Sequence, residues 1–170
     1  MRVLIVSDTH GRVDARIAAL ARDCDAVVHG GDVGNAAVLD ALGGHVLAVR
    51  GNNDIADKWP PAETDRLATL PLQAAIDLPG GHLVVVHGDR WPARGRHAAL
   101  RRAYPAARAV VYGHSHQLKI DTDAVPWVLN PGAAGSARTN GGPSCLLLHA
   151  TADVWQVQAQ RHIDGYREHV

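Results

Sequence analysis

His114 and His116 stand two residues apart in VVYGHSHQLKI, directly behind an apolar run and a glycine. Alternate positions on a strand share a face, so a strand end here would carry both imidazoles to one side. Similar placements recur along the chain. Asp8 and His10 follow RVLIV in SDTHG, Asp32 follows AVVHGG, Asn52 follows HVLAVRG and His87 follows LVVV. Taken singly, each is ordinary turn chemistry or a satisfied histidine. Together, five apolar runs each release an oxygen or imidazole donor at the same end, and that conjunction needs a common cause. A donor set of carboxylate, amide and imidazole without thiolate suits Mn, Fe, Co, Ni or Zn in an open site rather than a closed structural zinc site.

The elements that would position these donors can be read from the pattern. RVLIVSD, DAVVHGGD and HVLAVRGNND are short apolar runs ended by Gly or Asx residues, and helical spacing lies between them in DARIAALARD and NAAVLDALGG. Asp14 and Asn35 are the expected caps of those helices. Strands alternating with helices predict βαβ units and parallel strands. Parallel neighbours end on one edge, and ligands of open α/β sheets bind there. Farther on, LPGGH predicts a hairpin and RGRHAALRRAY a short basic helix. RAVVYGHSH, QLKIDTD, PWVLNPG, SCLLLHA and DVWQVQAQ then read as strands, with a loop and short helix in KWPPAETDRLATLP. The chain begins α/β and ends mostly β, without repeat or linker, so 1–170 is expected to be one domain.

Seventeen basic and seventeen acidic residues give a formal charge of zero, and no basic block occurs. A nucleic acid polymer is therefore not the expected partner. Cys24 and Cys145 are far apart in sequence and fit a reduced, cytoplasmic chain better than a disulfide framework. The apolar run near Met1 is too short for a signal segment, and no later run would cross a bilayer.

SDTHG, HGGDV, VRGNNDI, VVHGD and YGHSH, followed by NPG, resemble the calcineurin-like metallophosphoesterase superfamily, in particular its small single-domain bacterial and archaeal phosphodiesterases. The resemblance implies an α/β four-layer αββα sandwich with two mixed sheets. It also implies two divalent metals, with manganese the first expectation. Asp8, His10, Asp32 and His116 would hold one metal; Asp32, Asn52, His87 and His114 would hold the other, so that Asp32 bridges. Within that set Asp32, Asn52 and His87 are the expected catalytic residues. The implied reaction is hydrolysis of a small phosphodiester or nucleotide-like substrate by in-line attack of a metal-bridging hydroxide. Two dications less two carboxylates and a hydroxide leave about one positive charge, which draws in a phosphate anion without a basic surface. Ser7 and Ser115 are expected to be a backbone-facing hydroxyl and a spacer.

Many relatives carry histidine where this chain has Asn53, which cannot donate a proton as an acid. Asp89 occupies a position that is often histidine and is not read as a ligand. Asp54 either supports a neighbouring ligand or closes the turn. Asn53, Asn130 and Arg138 are candidate substrate contacts, Arg12, Arg50 and Arg90 flank the motifs, and His29 reads as packed. Loops 59–71 and 133–142 would form the pocket walls. Two other readings stand beside the diesterase: a phosphomonoesterase, and a non-catalytic metal-binding scaffold of the same fold, as in the retromer subunit this branch resembles. The charged, aromatic tail QRHIDGYREHV reads as surface or as a contact between copies of the chain.

Overall fold

The first strand decides the layering, because its side chains alternate between two different cores. In a computed structural model, residues 1–43, 45–136 and 138–162 are described; most of the tail read as surface or oligomer contact, 163–170, lies outside the described residues. The chain opens with β1 (Arg2–Val6), α1 (Ala15–Ala21), β2 (Ala26–His29), α2 (Ala36–Ala41) and β3 (Val46–Ala48). Two 3-10 turns, Ala56–Lys58 and Pro61–Glu63, lead into α3 (Thr64–Ala68). There follow β4 (Gln73–Leu78), β5 (Gly81–Val86), α4 (Arg96–Ala103), β6 (Ala109–Val111) and β7 (Leu118–Asp121). The last three strands are β8 (Trp127–Pro131), β9 (Ser144–Ala150) and β10 (Trp155–Arg161).

Leu4 and Val6 of β1 pack with Ile17, Leu39, Leu42, Trp59 and Leu67 of the helical layer. Val3 and Ile5 turn the other way, against Leu83, Val85, Val111 and Leu129 of the second sheet. On that sheet's far face Val110, Val128 and Val86 meet Leu100 of α4. Period-two alternation thus builds three cores and four layers, helices–sheet–sheet–helix. With no Phe in the chain, aliphatic side chains fill most of this volume.

The sheets are five-stranded, ordered β10-β9-β1-β2-β3 and β4-β5-β6-β8-β7. In the first, β1, β2 and β3 are parallel and β9 is antiparallel to β1. In the second, β5, β6 and β8 are parallel, with β4 and β7 antiparallel at the edges. Asp14 caps α1 by accepting from the Arg16 N–H, and Asn35 caps α2 by accepting from the Val38 N–H. Both cysteines are free. Among the described residues no helix is long and apolar enough to cross a membrane.

The parallel strands of both sheets end at a common rim. His87, beyond β5, reaches the first sheet by donating from Nδ1 to the Gly30 carbonyl at 2.8 Å. The His114 N–H, beyond β6, donates to Asp8 Oδ1 at 3.1 Å. The seam between sheets is therefore closed by the residues that the sequence marks for chemistry.

Candidate metal centre

After β1 and β2 end, their trailing loops remain zipped together. The N–H groups of Asp8, His10 and Gly11 donate to the carbonyls of Gly31, Asp32 and Val33 at 3.0, 2.9 and 2.7 Å. Unusual backbone accompanies this pairing. Among the described non-glycine residues, left-handed φ occurs at Asp8 (53°), His10 (48°), Asp32 (55°), His114 (67°), His116 (55°) and Arg138 (52°). The conformation costs a residue with a Cβ about 1–2 kcal/mol. Five of these six are the expected donors, and strained residues of this kind cluster at active sites and ligand clamps.

Their spacing predicts a strand end, but His114 and His116 lie beyond the strand. β6 stops at Val111, and the Ser115 N–H folds back onto the Gly113 carbonyl at 2.7 Å. The two left-handed residues turn the chain so that the imidazoles reach different neighbours. A strand would have put both rings on one face; the turn separates them.

His116 joins Asp8, His10 and Asp32, whose donor atoms all lie within 4.8 Å of one another. Its Nε2 is 3.1 Å from His10 Nε2 and 3.5 Å from Asp8 Oδ1, and His10 Nε2 is 3.7 Å from Asp32 Oδ2. The hydrogen-bond network assigns the tautomers. His116 Nδ1 donates to the Arg138 carbonyl at 3.2 Å, so its Nε2 carries the lone pair. Arg138 Nη2 donates to His10 Nε2 at 3.2 Å, so that nitrogen is an acceptor too. Two lone pairs then face each other with no proton between them. Asp8 adds a second anomaly: its Oδ2 is buried and has no hydrogen-bond partner. A cation among these donors resolves both, and the side chains fit that group.

The remaining donors gather on the other side of Asp32. His87 Nε2 lies 3.5 Å from Asp32 Oδ2 and 3.0 Å from Asn52 Oδ1, and His114 Nδ1 lies 3.0 Å from the same Asn52 oxygen. Asn52 is exposed, so this side opens to solvent. Donors that share a metal at bond lengths of about 2.0–2.2 Å are separated by distances of this order. Asn52 thus links His87 and His114 to each other, and His87 links that pair to Asp32.

Charges follow the burial. Burial pushes the Asp8 carboxyl up to about 7. Burial alone would raise Asp32 as well, but the His87 bond and charge and two Asn53 bonds pull it well below the usual carboxylate range. Burial alone would lower His87, yet the Asp32 carboxylate overrides it and holds the imidazolium up to about 9. Burial keeps His10, His114 and His116 below the usual histidine value, as neutral imidazoles suited to ligation.

Supporting residues fix these donors. Asn53 donates from its N–H to Asp32 Oδ1 at 2.8 Å and from Nδ2 to Oδ2 at 2.7 Å, so it orients the shared carboxylate. Asn130 is fully buried. It donates to the Gly113 carbonyl and Ser115 Oγ and accepts from the Gly132 N–H, which places it beneath the histidine loop and away from the open face. Ser7 Oγ meets the Gly31 carbonyl at 3.4 Å, the backbone role expected of it. His29 is fully buried and packed; its Nδ1 accepts from the Gly31 N–H, its Nε2 meets Thr9 Oγ1, and burial pushes it down to about 4.

Asp54 does more than close its turn. Its carboxylate accepts from the N–H groups of Val33, Gly34 and Gly51 and from Trp59 Nε1, at 2.8–3.1 Å. It joins the loop after Asp32 to the loop bearing Asn52. Those loops touch so closely that a Cβ on Gly51 would lie 2.1 Å from Asp32 Oδ1. Lys58 carries no signal in the sequence, yet the 3-10 turn Ala56–Lys58 brings its ammonium onto Asn53 Oδ1.

Asp54→Ala strands four donors and is expected to lower unfolding free energy by at least about 3 kcal/mol. Asp54→Asn, which keeps one acceptor oxygen, should lose less. Urea denaturation of both variants measures this, and a loss under about 1 kcal/mol for alanine contradicts the joining role.

A family model described as the calcineurin-like phosphoesterase superfamily domain matches residues 1–153. No curated protein matches the sequence. Among solved structures, wild-type Vps29 from Entamoeba histolytica complexed with Zn2+ shares 20% identity at a TM-score of 0.76, covering 98% of this chain and 95% of its own. An archaeal phosphodiesterase shares 21% identity at 0.68, covering 94% of this chain and 100% of its own. YfcE, a phosphoesterase from E. coli, shares 23% at 0.64, covering 88% of each chain. At these identities the structures speak for the fold, which is the double-sheet sandwich described above. With the family match running through every donor-bearing loop, the chain belongs to the calcineurin-like phosphoesterase superfamily.

Proposed function

We propose that this chain is a metal-dependent phosphoesterase that hydrolyses small phosphodiesters, with Mn2+ the first metal to test. The observation that carries the reading is the approach of His10 Nε2 and His116 Nε2 to 3.1 Å beside the orphaned Asp8 oxygen. Asp8, His10, Asp32 and His116 would hold one divalent cation, and Asp32, Asn52, His87 and His114 a second. Bound there, such a pair supplies a water of lowered pKa and Lewis-acid stabilisation of charge at phosphorus.

The chain's own residues supply orientation. Asn53 fixes the Asp32 carboxylate, the Gly30 carbonyl fixes the His87 ring and the Arg138 carbonyl fixes the His116 ring. Ligating imidazoles held at their second nitrogen are typical of functional metal sites. Exposure of Asn52 and partial exposure of His114 leave a way in for substrate. No serine is needed as nucleophile, since Ser7 is buried on the backbone and Ser115 accepts from Asn130. Asn53 offers no acidic proton to a departing oxygen.

The phosphodiesterase among the similar structures supports the enzyme reading; the Vps29 likeness favours a binding module as the second reading. Hydrolysis of bis(p-nitrophenyl) phosphate with added Mn2+, before and after chelation, separates them. Turnover that chelation abolishes and Mn2+ restores is expected. A metal-loaded protein without turnover supports the binding module instead.

Leaving-group dependence follows from Asn53. Across a series of aryl phosphodiesters the rate should fall steeply as leaving-group pKa rises, because departure lacks protonation from that position. A flat series contradicts this and reveals another acid.

Loading must also displace protons. Near pH 7 His87, at about 9, is protonated and Asp8, at about 7, is roughly half so; ligation requires both to be unprotonated. Mn2+ affinity should therefore rise with pH through this range. Calorimetry at pH 7 in buffers of different ionisation enthalpy should show more than one proton released on full loading. Proton uptake, or none exchanged, contradicts the ligand set.

A further inference from the structure

Beside the His10–Asp32 side of the centre lies a pocket of about 320 Å3 whose walls include Gly34, Asn53, Lys58 and Arg138. Its two cationic side chains come from separate segments, the 3-10 turn Ala56–Lys58 and the loop after β8. Both carboxylates on its wall are committed, Asp32 to the donor cluster and Asp54 to four N–H groups. Among the described residues neither Lys58 nor Arg138 pairs with a carboxylate. Their partners are neutral acceptors, Asn53 Oδ1 for Lys58 and His10 Nε2 for Arg138.

Both partners leave these cations free to bind an anion. His10 Nε2 has one lone pair, so it cannot ligate a cation and accept from Arg138 at once. Loading the centre would release the guanidinium within the pocket. An ammonium has three N–H donors, and Asn53 occupies one of those on Lys58. A planar fork and a point charge on separate segments are the two side-chain types that recognise phosphate oxygens. The centre itself accounts for one phosphoryl group, and these two cations lie outside it. In a chain of zero formal charge, such local concentration calls for an anionic ligand.

We propose that this pocket is a subsite for a second phosphoryl group adjacent to the scissile one, so that the preferred substrates are small phosphate esters bearing two linked phosphates. The term scissile rests on the phosphoesterase reading; the subsite itself rests on Lys58, Arg138 and the pocket.

The test is calorimetric titration of the full chain, loaded with Mn2+, with AMP and with ADP, free Mn2+ being matched in cell and syringe. ADP is expected to bind at least about tenfold tighter than AMP, the worth of a charge-assisted hydrogen-bond pair. Lys58→Met and Arg138→Met should each reduce that ratio, the double variant should bring it to about one, and Lys58→Arg should retain most of it. Mn2+ titration of each variant verifies the centre, and Arg138→Met should bind Mn2+ at least as tightly because His10 loses a competitor. A wild-type ratio near one, or a ratio that survives in the double variant, overturns the subsite. Assay of bis(p-nitrophenyl) phosphate with the same preparations keeps the two claims apart. Turnover with no ADP preference removes the subsite alone, whereas ADP preference without turnover supports the subsite and counts against the hydrolase.

Discussion

Everything in this molecule turns on one electrostatic conflict, the crowding of two imidazole nitrogens against a buried carboxylate. His10 and His116 present lone pairs to each other at 3.1 Å, and Asp8 keeps a buried oxygen without a donor. Leaving a buried polar group unpaired costs about 1–3 kcal/mol, and five left-handed donor residues add strain to that. Costs gathered in one place suit a site that an external partner relieves. The partner that suits carboxylate, amide and imidazole together is a divalent cation.

The architecture makes the conflict unavoidable. β1 and β2 end side by side, as do β5 and β6, and the sheets pack closely enough that β5's trailing histidine bonds the backbone beyond β2. A shell of fixed hydrogen-bonding side chains then holds these loops. Asp54 joins two loops through four N–H groups, Asn130 pins the histidine turn, and Asn53 grips both oxygens of Asp32. Their geometry depends on long-range contacts within a rigid rim, which is why small residues occur where loops cross. A Cβ at Gly113 would lie 1.9 Å from Ser7 Oγ and 2.8 Å from Asp8 Oδ2.

Much of this was legible in the sequence. Short β-branched runs, Asp14 and Asn35 caps and the Pro79-Gly80 turn mark elements that local chemistry determines, and the structure has them. The seven candidate residues were legible as a group because apolar runs release them at one edge, and their assignment to metals came from the family resemblance. The histidine turn was not: alternation in GHSH reads as a strand, and only the left-handed backbone at His114 and His116 shows otherwise. Asn130 reads as a substrate contact by its place in NPG, whereas its partners bury it beneath the loop. The roles of Asp54 and Lys58 depend on backbone groups and turns distant from any recognisable pattern, so no spacing announces them.

The central claim is that two cations sit on either side of Asp32. Anomalous diffraction from crystals grown with Mn2+ tests it directly. The account predicts two peaks, one among Asp8, His10, Asp32 and His116 and one among Asp32, Asn52, His87 and His114. A single peak away from Asp32, or none at either cluster, would contradict it.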